Sequence, residues 1–469
     1  MGLLATINNN DEDLRVRVLS RRLIKASDSS LKPHVLAVSN LDLVLQYMHH
    51  SAVCIYPPTT THFDDVVAVF ESGLPSLLSP FYPFAGRMAA NPSSGLPEVH
   101  CNNQGAELVI GEAGVSLGSL DYSTMTASLR KMPVPYGEDD LALSVQLVSF
   151  ACGGFAVVWR TNHVLADGSA LALLVRAWAE LARNSSRLPA GSWPHHDRSI
   201  FRPRSPPSYS ASSMLTILPD DYEQRVPQIS FVERLYRIEA SDIASLQRKA
   251  SYDDDKLKRA TRVQAISAYL WKAHAAAADH TRCRMAWRVN GRWQLTTNTP
   301  AAMQNYVGNV LTMTVREAGV QEVMRMPLPD VAAMVRDTIT GLSYDHHFQE
   351  LVDWVEDHKA TNKRFAEMAI LGLGCPTLRV SAMSSFQLDS DFGFGRAALG
   401  IGLTTSMVRL GSGSVQIFPG LGNDGSWIVS ALVWPRLAAQ LENANPCILK
   451  PLTAADLGLL APQLQRSRI

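Results

Sequence analysis

The stretch SVQLVSFACGGFAVVWRTNHVLADGSALALLVRAWAELAR, Ser144 to Arg183, changes its hydrophobic period partway through. Its first part, SVQLVSFAC and FAVVWRTN, is rich in β-branched and aromatic residues. Gly153-Gly154 between them supplies the positive φ angles that a two-residue turn needs, which predicts a β-hairpin. From Ser169 the pattern becomes helical: Leu171, Leu174, Val175, Trp178 and Leu181 recur at helical spacing and share one face. Between the second strand and the helix lies HVLADG, His163 to Gly168. An imidazole at a strand end is well placed to act as a general base, because its ordinary pKa of about 6.5 lets it accept a proton at neutral pH. HxxxD alone is a cheap match. Followed by glycine and set between a strand and a helix, it marks His163 as functional where the other histidines read as core or surface residues.

Outward from this unit, the 469 residues suggest two or three domains. The second half carries another helix in VQAISAYLWKAHAAAADH (Val263–His280) and a run of short strands in LTTSMVRLGSGSVQIFPGLGNDGSWIVSALVW (Leu403–Trp434). A Pro-, Ser- and Arg-rich segment without periodicity, Trp193 to Ser213, reads as the crossover. The expected division is therefore 1–192, carrying HVLADG, a linker at 193–213, and 214–469, each half mixed α/β. No repeat of 20–50 residues is visible, which removes solenoids and propellers.

Composition narrows the partners. Lys plus Arg and Asp plus Glu are both 43, so the chain is formally neutral and has no global field to draw it to nucleic acid. A hydrophobic content of 46% is that of an ordinary globular protein. The six cysteines, Cys54, Cys101, Cys152, Cys283, Cys375 and Cys447, form no CxxC pair, and a core of this size needs no disulfides. The start MGLLATINNNDEDLR has no secretory pattern, and no apolar run reaches membrane-spanning length, which points to the cytoplasm. MGLLAT matches the loose myristoylation pattern at Gly2.

Several chemistries drop out. There is no GxSxG elbow and no HExxH or His/Cys pairing at metal spacing, so neither an α/β-hydrolase serine nor a metal site is expected. DFGFGR (Asp391–Arg396) contains the kinase tripeptide, but no HRD segment accompanies it. Gly420, Gly422 and Gly425 satisfy GxGxxG, yet strand-like SWIVSALVW follows instead of a helix, so a turn is expected there.

HVLADG and DFGFG occur together with SNLDL (Ser39–Leu43), YPFAGR (Tyr82–Arg87), VHCNNQGAELVIGEA (Val99–Ala113), TRVQAISAYLWKA (Thr261–Ala273) and YVGNV (Tyr306–Val310). In this order, over nearly the whole chain, they resemble the BAHD superfamily of plant acyl-CoA-dependent acyltransferases. The resemblance implies an α/β protein of two mixed-sheet domains, each like chloramphenicol acetyltransferase, with a channel between them. Acyl-CoA enters from one face and the acceptor from the other. His163 takes the acceptor's proton, a tetrahedral intermediate forms, and no acyl-enzyme is made. Asp167 pairs with Arg292 and, with Gly168, supports the site. Asp391, Gly393 and Gly395 support the architecture near the CoA end.

Two positions depart from the family pattern: Phe394 stands where DFGWG has Trp, and Phe386 replaces a Trp just upstream. Ser39, Phe386, Phe394 and Thr405 are the candidates for contact with substrate. Lys256, Lys258 and Arg259 are candidates for the CoA phosphates, with a solvated charge run as the competing reading. Acyl-CoA is expected as co-substrate, with no tightly bound cofactor and no metal. The favoured acyl group is aromatic (hydroxycinnamoyl or benzoyl) or acetyl, and the favoured acceptor is an alcohol ahead of an amine. The protein is expected to be a monomer. Two alternatives stay open. A carrier-protein-dependent condensation domain usually has a second His where this chain has Asn162, and it lacks DFGxG. A non-catalytic accessory homologue would keep the fold without needing His163.

Overall fold

The computed structural model describes residues 14–46, 48–126, 128–183, 188–210, 215–218, 231–252, 259–296, 303–361, 364–368, 372, 375–383, 388, 391–403, 412–420, 422 and 424–460. Two large mixed sheets dominate. The first has six strands in the order Val16–Ile24 (β1), Ala106–Ala113 (β6), Leu143–Phe150 (β7), Phe155–Asn162 (β8), His49–Tyr56 (β3) and Leu399–Leu403 (β15). The second has seven: Leu311–Gly319 (β12), Arg282–Asn290 (β11), Thr377–Ala382 (β14), Ser412–Pro419 (β16), Trp427–Val433 (β17), Val232–Ile238 (β10) and Lys450–Pro451 (β18). Pairing is parallel between β6 and β7, β11 and β14, and β14 and β16, and antiparallel elsewhere in both sheets. Two small sheets complete the set: His34–Ala37 (β2), Pro97–Cys101 (β5) and Arg87–Ala90 (β4) in one, Phe365–Glu367 (β13) with Leu215–Ile217 (β9) in the other.

The predicted hairpin is β7–β8, antiparallel with Ser149 opposite Phe155. Its connection is longer than the expected two residues and spans 151–154. Only Gly153 has a positive φ, of 82°. Gly154 is needed for room instead: a Cβ there would lie 2.6 Å from Leu117 Cδ1 and 2.8 Å from the Tyr56 carbonyl oxygen. The predicted helix runs from Gly168 to Arg183, and all five residues of its apolar face are buried. It packs with the helix Phe63–Leu78 on the first sheet, where Trp178 meets Phe70 and Trp159 at ring distances of 4.7 and 5.4 Å. Offset and edge-on rings of this kind add to the apolar burial that holds helix to sheet. A second core gathers around Trp271 of the helix Arg262–Ala277 and Trp287 of β11. Thr261 and Gln264 close a capping box at the start of that helix.

The halves exchange material. DFGFG and β15 follow the crossover in sequence, yet β15 pairs with β3 at the edge of the first sheet, Leu399 opposite Ile55. Phe392 is buried among Phe70, Trp159 and Trp178 in the first core. A division at residue 214 therefore does not follow the sheets here, because these apolar residues complete the first core. Asp391 Oδ1 accepts the N–H groups of Gly393 and Gly395 at 2.7 and 3.0 Å, and both glycines have positive φ. A left-handed backbone at two positions is what fixes glycine in this turn. Gly420, Gly422 and Gly425 fall between β16 and β17 instead of opening a helix, and Gly425 has a positive φ of 78°.

The segment 193–213 is more than a tether over its described part. His195 donates its N–H to the Asn305 carbonyl at 2.8 Å, Val307 donates to the His195 carbonyl at 2.9 Å, and Arg204 pairs with Asp353. Arg198 is buried. These contacts are made by single polar residues, which leave no periodicity to detect.

Candidate active site

His163 follows the last residue of β8 and is 8% exposed. Its N–H donates to the Met48 carbonyl at 2.9 Å, which ties it to the neighbouring strand's entry. Its Nδ1 lies 3.0 Å from Asn309 Oδ1. The Asn309 amide can point only one way. Its Nδ2 donates to Asp42 Oδ1 at 2.9 Å and to the His163 carbonyl at 2.7 Å, both acceptors, so Oδ1 must face the ring. Nδ1 therefore carries the proton, and the lone pair is left on Nε2. Asp42 is itself fully buried. It accepts the Asn309 N–H at 2.8 Å, the Ser39 N–H at 2.8 Å and the Ser39 hydroxyl at 2.7 Å, and pairs with Arg198. A buried carboxylate, an amide and an imidazole thus form one chain.

Burial pushes the His163 pKa below its ordinary value, with Asp167 opposing and Arg288 reinforcing the shift. The ring is a neutral base at physiological pH. His50 of β3, 5.4 Å from it ring to ring, is driven to about 3, by burial first and then by the repulsion it would meet from a protonated His163. Burial likewise takes His196 and His274 to about 4. Each folded pKa lies below the usual 6.5, so unfolding takes up protons in acid and stability is lost as the pH falls from about 6.5 towards 4. Melting temperatures measured between pH 7.5 and 5 are expected to fall. A profile flat over that range would contradict the neutral, buried assignment.

Asp167 does not face the reacting space. It is fully buried, caps the helix Gly168–Arg183 through Ala170 N–H at 3.0 Å, accepts Val310 N–H at 3.2 Å and pairs with Arg292 at 2.7 Å. Arg292 also donates to the Tyr306 and Gly308 carbonyls at 3.0 and 2.9 Å. Burial raises the Asp167 pKa, but Arg292 and the N–H donors outweigh it and the net shift is down. The pair fastens the helix after His163 to the loop that carries Asn309.

A cavity of about 130 Å³ opens at His163, between the two sheets. His50 of β3 lines it with Gly168 and Ser169 at the start of the helix that follows β8, and Arg288, Arg379 and Gln416 line it from the second sheet. The other expected site residues lie elsewhere. The Ser39 hydroxyl is spent on Asp42, and Ser39 does not line this cavity. Phe394 packs edge-on to Phe155 at 6.1 Å, and none of residues 391–395 lines it. Arg259 is exposed and also outside the lining. Gly2, Lys256, Lys258, Phe386 and Thr405 lie outside the described residues. Sequence reasoning missed Asn309, Asp42 and Arg198. YVGNV and SNLDL flagged the first two segments without giving the residues a role, and nothing in 193–213 signalled Arg198.

The site is a neutral histidine facing a cavity between two large mixed sheets. The comparisons with known proteins carry this further. The family model described as the Transferase family matches residues 14–439, and the chain belongs to that family, the BAHD acyltransferases. It is an acyl-CoA-dependent acyltransferase. Among relatives, it is 28% identical to anthranilate N-benzoyltransferase protein 1 of Dianthus caryophyllus, over 68% of this chain and 75% of that one. It is 26% identical to shikimate O-hydroxycinnamoyltransferase of Nicotiana tabacum, over 84% and 90%. Two solved structures share the fold. Vinorine synthase matches with a TM-score of 0.69 at 20% identity, over 93% of this chain and 99% of that one. TRI101 of F. graminearum complexed with ethyl coenzyme A matches with 0.71 at 14%, over 89% and 99%. Among the described residues, no helix is long and apolar enough to cross a membrane.

Proposed function

We propose that His163 is the general base of this acyltransferase and that the chain moves an aromatic acyl group (hydroxycinnamoyl or benzoyl) or an acetyl group from CoA to an alcohol, or else an amine, of a small molecule. The observation that carries this reading is the locked tautomer, with Nδ1–H held by Asn309 and the Nε2 lone pair left available beside the cavity. Nε2 takes the proton from the acceptor O–H or N–H as the freed heteroatom attacks the thioester carbonyl. The tetrahedral intermediate collapses, the C–S bond breaks, and the imidazolium gives its proton to the departing CoA sulfur. The test is a matrix of benzoyl-, p-coumaroyl- and acetyl-CoA against alcohols and amines, read by thiol release and product mass. Release of no thiol with any pair would refute it.

Asn309 acts through His163 as a positioning residue. Asn309→Ala is expected to lower kcat by about 10²-fold, the scale of a misaligned reacting group. Losing an acceptor for Nδ1–H also destabilises the protonated ring, so the acid limb of the kcat/KM profile should move to lower pH. A lower rate with an unmoved limb would reduce Asn309 to a packing role.

The division into 1–192 and 214–469 belongs to the same proposal, supported by the grouping of strands into two large sheets and amended by β15. A cytoplasmic location belongs to it too, supported by six cysteines that form no disulfide among the described residues, and the monomer is kept with it as an expectation. Arg259, with Lys256 and Lys258, is kept as a candidate for the CoA phosphates.

A further inference from the structure

Among the described residues, the buried charges around the His163 cavity are paired, with one exception. Asp42 is matched by Arg198, Asp167 by Arg292, and Glu367 by Arg288 at 2.9 Å. Arg379 is not matched. It sits on β14, opposite Ala286 of β11, and is 7% exposed. Its Nε and Nη2 are buried without an acceptor. Burial and the like charge of Arg288 draw its pKa down to about 10, against the pull of Glu367, so it remains a cation at neutral pH. Glu367 is already engaged by Arg288. The group Arg288, Arg379 and Glu367 therefore holds one positive charge in excess, out of water and at the wall of the cavity that His163 faces.

An unpaired buried guanidinium opposes folding, because its lost hydration is repaid only by a counter-charge in good geometry. Its planar fork of donors matches a carboxylate, which can accept two parallel N–H bonds. A second orphan lies in the same lining: Gln416 Oε1 on β16 is buried with no donor among the described residues. One group lacks an acceptor and the other lacks a donor. A ligand bearing a carboxylate together with a hydroxyl or N–H satisfies both.

We propose that Arg379 is a specificity residue that binds a carboxylate carried by one of the two substrates in this cavity. The proposal rests on the acyl-transfer reading for the reaction, but not for the binding. The carboxylate comes either with the acceptor, as in a hydroxy- or amino-acid, or with the acyl group, as in a dicarboxylic acyl-CoA.

The experiment separates these sources. Acceptors such as shikimate and anthranilate are compared with their methyl esters, using benzoyl-CoA. Malonyl-CoA is compared with acetyl-CoA, using neutral alcohols. In one arm the wild type should favour the acid by at least ~10-fold in kcat/KM, since a site built around a polar group discriminates strongly against the analogue lacking it. Arg379→Met should collapse that ratio towards one, and Arg379→Lys should keep part of it. Because the methionine removes a buried uncompensated cation, Arg379→Met should also melt at a higher temperature than wild type. Calorimetric titration of shikimate, anthranilate and malonyl-CoA into His163→Ala reads the binding without turnover, so failure of the acyl-transfer reading stays distinguishable. Equal use of acid and neutral forms in both arms, with no Arg379-dependent binding in the titration, would overturn the proposal. So would retention of the preference by Arg379→Met.

Discussion

His163→Ala is expected to lower kcat by about 10²–10⁴-fold, the usual contribution of a positioned general base. The melting temperature should stay near that of the wild type. The side chain's hydrogen bond to Asn309 is lost, whereas the backbone bonds of residue 163 to Met48 and Asn309 persist in the variant. The cavity beside the ring leaves room for water to serve Asn309 Oδ1. Thiol release under saturating acyl-CoA, measured alongside a thermal melt, separates the two quantities. Turnover at the wild-type rate would remove His163 from the chemistry, and a collapsed melt would make the loss of rate uninformative.

Asp167→Ala should have the largest effect on stability. Asp167 and Arg292 are both almost wholly out of water, and removing one partner of such a pair typically costs about 3–5 kcal/mol, because the other charge is left uncompensated. The substitution also takes the cap from the helix Gly168–Arg183 and an acceptor from Val310 N–H. Activity should fall with it, since the loop that presents Asn309 loses its anchor. Denaturant midpoints give the stability change. Joining Asp167→Leu to Arg292→Met should recover much of it, since the stranded cation is then gone. Loss of activity at unchanged stability would instead give Asp167 a chemical part.

Much of this arrangement was legible in the sequence, and the physical reasons are specific. The period change between Val158 and Leu171 placed His163 at a strand end ahead of an amphipathic helix, because local pattern governs local structure. The Asp167–Arg292 pair came from the resemblance, since two residues so far apart leave no local trace. The environment of His163 was not legible. Asn309, Asp42 and Arg198 come from three separate segments, and each would be an ordinary loop or cap residue if read alone. Arg379 was hidden for the opposite reason. A lone arginine in LRVSA reads as the outward position of an alternating strand, and only the tertiary structure shows it facing inward with no counter-charge of its own among the described residues.

The placement of β15 has a consequence for how the protein is made. Among the described residues, the outer edge of β3 is covered by residues 399–403, and the first core receives Phe392 from the same late segment. During synthesis, therefore, some 240 residues emerge between β8 and the strand that closes its sheet, as the span from Asn162 to Leu399 shows. Until then the nascent chain presents an open strand edge and an incomplete aromatic cluster, the features that invite pairing with another chain. The N-terminal half expressed without residues 388–403 should be aggregation-prone, and supplying that stretch as a linked segment should restore it to solution.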